Sequence, residues 1–188
     1  MKKILMMALM ALMTLAAQAA DDKVTLTSGD GQWLKESDKT TSVVIDYSKT
    51  IAEGKPLKEY LKSRGDKNVA DWPEVAKIAR ERFIELFNKR NKKGVQAVDA
   101  DKADMQIKVI VEKLDFGSAA MQAVFGGFGS AGGAEISGKM IVTDKGGKTL
   151  AAYELVEVRG RAVTDYTEGR RLGSVFDQII KMVIKASK

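Results

Sequence analysis

Between residues 104 and 159 the chain alternates apolar and polar side chains with a period of two. Met105, Ile107, Val109 and Val111 alternate with Gln106, Lys108, Ile110 and Glu112. That is the pattern of a strand with one buried face and one mostly wet face. Ile136, Met140 and Val142 alternate in the same way with Glu135, Ser137, Lys139 and Thr143, and Gly138 falls on the apolar side. Asp144-Lys145-Gly146-Gly147-Lys148 then supplies residues that tolerate positive φ. Residues 149–159 are rich enough in apolar and β-branched side chains to return as the second arm of a hairpin spanning 136–159. The alternation slips in that arm: Leu150 and Ala152 share a face with Glu154, whereas Val156 and Val158 need that face in the core. One extra residue flips every later side chain, so a bulge is expected near Tyr153 or Glu154.

Elsewhere the apolar period is helical. Val75, Ile78, Ala79, Phe83, Leu86 and Phe87 form one stripe. Asp71-Trp72-Pro73-Glu74 ahead of it reads as a capping box, with Asp71 at the N-cap and Pro73 in the first turn, where its missing N–H costs nothing. Lys89, Arg90, Lys92 and Lys93 suit the C-terminal end of the helix dipole, or an anion-binding patch, and Gly94 suits the residue just past the helix. Leu172, Val175, Phe176, Ile179, Ile180, Val183 and Ile184 give a last helix a broad stripe, with 165–168 as its cap. Leu57, Tyr60 and Leu61 make a short helix that ends near Gly65. Residues 24–27 and 42–47 read as shorter strands, and Trp33-Leu34 as an anchor to the core. Strands with one apolar face and helices with one apolar stripe specify two packed layers. The expectation is a single α+β domain over 20–188: a mainly antiparallel sheet of four or five strands, with long helices at about 72–93 and 168–186 packed on one face.

Two stretches lie outside this patterning. Lys2 and Lys3 precede an apolar run, Ile4 to Ala17, that ends in the small-x-small site Ala17-Gln18-Ala19. Residues 1–19 therefore read as a secretory signal peptide, which places the mature chain in the periplasm. The second stretch, 116–134, is 19 residues without a charge, six of them Gly and five Ala. Gly127, Gly129 and Gly132 spell Gly-x-Gly-x-x-Gly, but a dinucleotide site needs those glycines directly between a strand and a helix, and another strand follows here. Two readings stay open. One is a mobile connection with a helical turn at 118–125; the other is a sticky surface element in which Met121, Val124, Phe125 and Phe128 contact a protein partner or a second copy.

Composition narrows the chemistry. The chain has 188 residues and a net charge of +6; without Lys2 and Lys3, 29 basic side chains stand against 25 acidic ones. So mild an excess does not indicate nucleic acid. There is no His and no Cys, which removes Ser-His-Asp and Cys-His catalysis, His-ligated zinc and disulfides. No Ser has a Lys three residues on. Asp99, Asp101 and Asp104 are spaced like the start of a calcium loop, but the Gly at its sixth position and the Glu at its twelfth are missing, so a turn before the strand is the better account. No cofactor, metal or transmembrane segment is expected in the mature chain. Catalysis would have to use carboxylate pairs.

Asp46-Tyr47-Ser48, Asp71-Trp72-Pro73, Ala103-Asp104 and the run Gly-Gly-Ala-Glu-Ile-Ser-Gly at 132–138, behind a signal peptide, resemble uncharacterised exported proteins of Gram-negative bacteria that form a domain-of-unknown-function family. The resemblance implies an α+β periplasmic domain and brings no catalytic residues. Many such relatives look like lipoproteins, whereas this chain lacks the lipid-accepting Cys. The function expected is a non-catalytic envelope protein that binds or assembles through the Gly-rich apolar loop; the alternative is a carbohydrate- or lipid-modifying enzyme that uses carboxylates.

Overall fold

The computed structural model describes residues 23–98, 103–117, 133–161 and 167–188. In chain order the elements are β1 (Val24–Gly29), a 3-10 turn (Gln32–Lys35), β2 (Thr40–Asp46), β3 (Ile51–Ala52), β4 (Lys55–Pro56), α1 (Leu57–Ser63), α2 (Asp66–Arg90), β5 (Gln96–Val98), β6 (Met105–Asp115), β7 (Glu135–Asp144), β8 (Thr149–Arg159) and α3 (Glu168–Ala186). The class is α+β, and the hairpin of β7 and β8 forms the middle of the sheet. The expected sheet of four or five mainly antiparallel strands needs correction, because the sheet has eight strands and is mixed. Its order is β1-β8-β7-β6-β2-β5, with β3 beside β6 and β4 beside β3. The β1–β8, β8–β7 and β7–β6 pairs are antiparallel, whereas β2 runs parallel to both β6 and β5, and β3 parallel to β6. Among the described residues there are three helices, the short one expected after Pro56 and two long ones.

The buried row crosses the sheet in register. Ile107 faces Val142, and Val109 faces Met140, which in turn faces Tyr153. All five are at most 1% exposed. The slip in β8 is real but sits later than expected. Ile136 pairs with Val158 and Gly138 with Leu155, so Val156 and Glu157 together oppose Ser137. Glu157 takes φ 46° there, and its N–H donates to Ser137 Oγ at 2.9 Å. Ala151, Tyr153, Leu155 and Val158 form the core face, leaving Val156 exposed. A second bulge on β6, between Val111 and Lys113, lies directly across β7. Paired bulges of this kind bend and twist a sheet.

The helices pack against each other through Phe83 and Phe176, whose rings meet edge to face at 5.6 Å. Phe87 stacks on both Phe83 and Trp33. Trp33 Nε1–H donates to Tyr153 Oη at 3.1 Å, and that oxygen shares a 2.6 Å hydrogen bond with Ser187 Oγ. This chain of contacts ties β8, α2, the end of α3 and the 3-10 turn into one core. Close helix approach needs a small side chain, since a Cβ on Gly173 would lie 2.6 Å from Arg82 Cγ. Arg90 forks onto Asp177 with two 2.7 Å hydrogen bonds, so the cluster at the end of α2 is partly spent on α3.

Local signals at α2 are overridden. Helix α2 starts at Asp66, not Asp71, and Pro73 lies inside it. Asp71 pairs with Lys67 at 2.5 Å instead of capping. At the other end, Asn91 is the C-cap, and its amide donates to Leu34 O and Val95 O. Asp104 accepts Thr40 N–H and Oγ1–H and pairs with Lys145; these contacts, Lys145 foremost, lower its pKa to about 2. Its place is that of a clamp between β2 and the hairpin turn. Residues 1–19, expected to be a signal peptide, Asp99 and Asp101, and residues 165–166, expected to cap the last helix, lie outside the described residues.

Candidate functional site

The site follows from how the chain passes from β2 to β3. Both strands run alongside β6, β2 as far as Asp46–Ile110 and β3 from Ile51–Lys113. Between them residues 47–50 swing off the sheet edge. Asp46 holds the turn by accepting Ser48 N–H at 3.0 Å; hydrogen bonds from Ser48, then Lys108, hold its carboxyl well below the usual carboxylate range. Thr50 Oγ1–H donates to Val111 O at 2.6 Å and fills the gap that the detour leaves in the ladder. Thr50 N–H donates to Tyr47 O, and Leu57 N–H to Thr50 O. Glu53 and Gly54, with φ 48° and 79°, then reverse the chain into β4 and α1.

The detour, α1 and the first turns of α2 enclose a groove of about 620 Å³. Its walls are Tyr47 to Ile51, Pro56 to Lys58, Leu61, Val69, Trp72 and Pro73. Apolar surface dominates, and no carboxylate lines it. Pro73 has no N–H to give the carbonyl of Val69, four residues back, where a helix would otherwise bond. Tyr47 meets Trp72 edge to face at 5.0 Å, and Trp72 meets Phe116 in the same manner at 5.9 Å. The Tyr47 hydroxyl is buried without a hydrogen-bond partner, and burial pushes its pKa up. Leaving such a group unpaired costs about 1–3 kcal/mol. Beyond Phe116, Tyr60 stacks on its ring, and Arg64 lies 5.7 Å from both ring centroids. Arg64 also pairs with Glu168 at 2.5 Å. Arg171, which is 5% exposed, donates from Nη1 to Phe116 O at 2.8 Å. Phe116 is thus gripped on every side at the end of β6.

Met121, Val124, Phe125 and Phe128, the residues singled out in the sequence as partner contacts, lie outside the described residues, as does Gly127-x-Gly129-x-x-Gly132. The described chain reaches that passage through Gly117, one residue past Phe116, and Phe116 touches Trp72 of the groove wall. Sequence reasoning did not find the groove. Tyr47 stands at a strand end and Trp72 in a capping pattern, and nothing in the one-dimensional sequence joins them.

Carboxylates do gather on the far side of Ile51, where Glu53, Asp115, Glu135 and Glu157 border a separate 440 Å³ hollow. Each has a local partner. Glu135 takes Arg159, Asp115 accepts Gly117 N–H, Glu53 accepts the Tyr60 hydroxyl, and Glu157 pairs with Lys23. No cluster of three or more ligating side chains fit for a metal ion occurs among the described residues. No described helix is long and apolar enough to cross a membrane.

No family model matches this chain, and no curated protein matches it significantly. Among solved structures it is similar to the PelC dodecamer from Paraburkholderia phytofirmans, in two crystal forms, one with a point substitution. Each alignment has 12% identity and a TM-score of 0.45, covering 85% of this chain and 95% of the other. A likeness of that size transfers neither activity nor assembly.

Proposed function

We propose that this chain is a non-catalytic, exported protein of the bacterial envelope that works by binding, and that the groove beside Trp72 is its binding site. One observation carries the reading: a cavity of 620 Å³ has mostly apolar and aromatic walls, with Lys49 and Lys58 as its charged groups, and holds no carboxylate. That volume falls within the range of about 300–1,000 Å³ typical of small-molecule sites. Export rests on the lysines, apolar run and small-residue site of residues 1–19. The uncharged Gly-rich passage, with Met121, Val124, Phe125 and Phe128, supplies the apolar side chains for contact with a protein partner or a second copy.

The test places a charge in the wall. Val69 is half-buried and lines the groove. The mature protein is expected to bind the apolar dye anilinonaphthalene sulfonate saturably, with enhanced fluorescence. Val69→Glu is expected to weaken that binding about tenfold, a change of about 1.4 kcal/mol, with little loss of thermal stability. Equal dye binding by the variant, or none by the parent, would overturn the assignment of the groove.

A further inference from the structure

Resting on the reading of the groove as a binding site, we propose that its ligand is a long-chain fatty acid, with the acyl chain along the apolar wall and the carboxylate at Lys49 and Lys58. These two lysines are the only ionisable side chains in the lining apart from Tyr47, and neither has an ion-pair partner among the described residues. An apolar trough with two free cations and no anion complements a molecule with an apolar body and one negative head.

The backbone of the lining argues against an extended peptide. An extended peptide binds by adding to a free strand edge, yet β3 is already paired on both sides, with β4 and β6. Thr50 has its N–H, carbonyl and hydroxyl engaged as well. A hydrocarbon chain needs none of these groups and gains about 0.8 kcal/mol per buried methylene. The volume suits one chain rather than the two of a phospholipid.

Delipidated mature protein is titrated with palmitate below its aggregation concentration, and binding is followed by calorimetry and by Trp fluorescence. The expected result is one palmitate per chain. The double variant Lys49→Glu/Lys58→Glu is expected to bind about tenfold more weakly, as loss and reversal of two exposed charge contacts requires, at unchanged melting temperature. Neutral monopalmitoylglycerol is expected to bind parent and variant alike, and more weakly than palmitate binds the parent. Equal palmitate binding by the double variant overturns the proposal, and so does tighter binding of the neutral lipid or of hexadecyl phosphate. If the dye occupies the groove and palmitate does not, the fatty-acid assignment falls and the binding groove stands; if neither binds, both fall.

Discussion

Gly138→Ala is expected to destabilise the protein by about 3 kcal/mol or more, because a side chain at that position must displace the neighbouring backbone. Its Cβ would sit 2.0 Å from Ile110 O and 3.0 Å from Glu112 N, at a φ of 156°. Neither atom can give way cheaply. Ile110 and Glu112 belong to the central strand β6, and Gly138 itself pairs with Val111 on one side and Leu155 on the other. The bulges on β6 and β8 flank it, so the sheet bends where β7 has no side chain. A loss of this size is a large share of the roughly 5–15 kcal/mol that holds a domain together. Urea titration checks it: the midpoint should fall steeply or the variant should fail to fold. Gly54→Ala is the control. That glycine also has positive φ, 79°, but nothing lies within 4 Å of its Cβ, so its cost should stay near 1 kcal/mol.

Phe83→Ala is expected to cost about 3–5 kcal/mol, the range for removing a fully buried aromatic ring. Phe83 is 0% exposed and sits where the two long helices meet, edge to face with Phe176 and stacked on Phe87. The loss should spread beyond the cavity, since Phe87 also stacks on Trp33. Thermal unfolding measures the cost. Near-ultraviolet circular dichroism should lose part of the Trp33 signal under conditions where the variant is still folded. A variant that melts with the parent would mean the helix pair is not held through this ring.

Some of this could be read from the chain alone. The alternation in 105–111 and 136–142 assigns the buried face correctly residue by residue, because one face of each strand is covered and the other is wet. Helix α3 is equally legible, its stripe being broad and uninterrupted. The bulge in β8 is legible as a necessity but not as a position. Tyr153 lies on the core face, where its hydroxyl meets both Trp33 and Ser187, two residues far away in sequence. The start of α2 misleads for a related reason: the cap signal at Asp71 is outweighed by Trp72, which docks on Tyr47 and Phe116 only if the helix is already formed there.

The sheet order was hidden in a different way. A period of two names the buried face and says nothing about neighbours, so the parallel pairing of β2 with β6, across more than 60 residues of chain, leaves no local trace. The groove is hidden twice over. Its walls come from three short stretches between Tyr47 and Pro73 that meet only after β2 and β3 have joined β6. No single piece has the composition of a binding motif.

The central claim is that the groove side of the molecule, not the open face of the sheet, meets the ligand or partner. Two exposed apolar side chains allow a direct comparison: Ile51, 41% exposed on the groove wall, and Val44, 39% exposed on the face of β2 away from the core. A photoreactive benzoylphenylalanine is placed at one or the other position of the full chain in growing cells, irradiated, and the adducts are weighed by mass spectrometry. The expected result is a discrete adduct from position 51 that is lost on Val69→Glu, and none from position 44. A discrete adduct from position 44 alone, or one from position 51 that survives Val69→Glu, would contradict it.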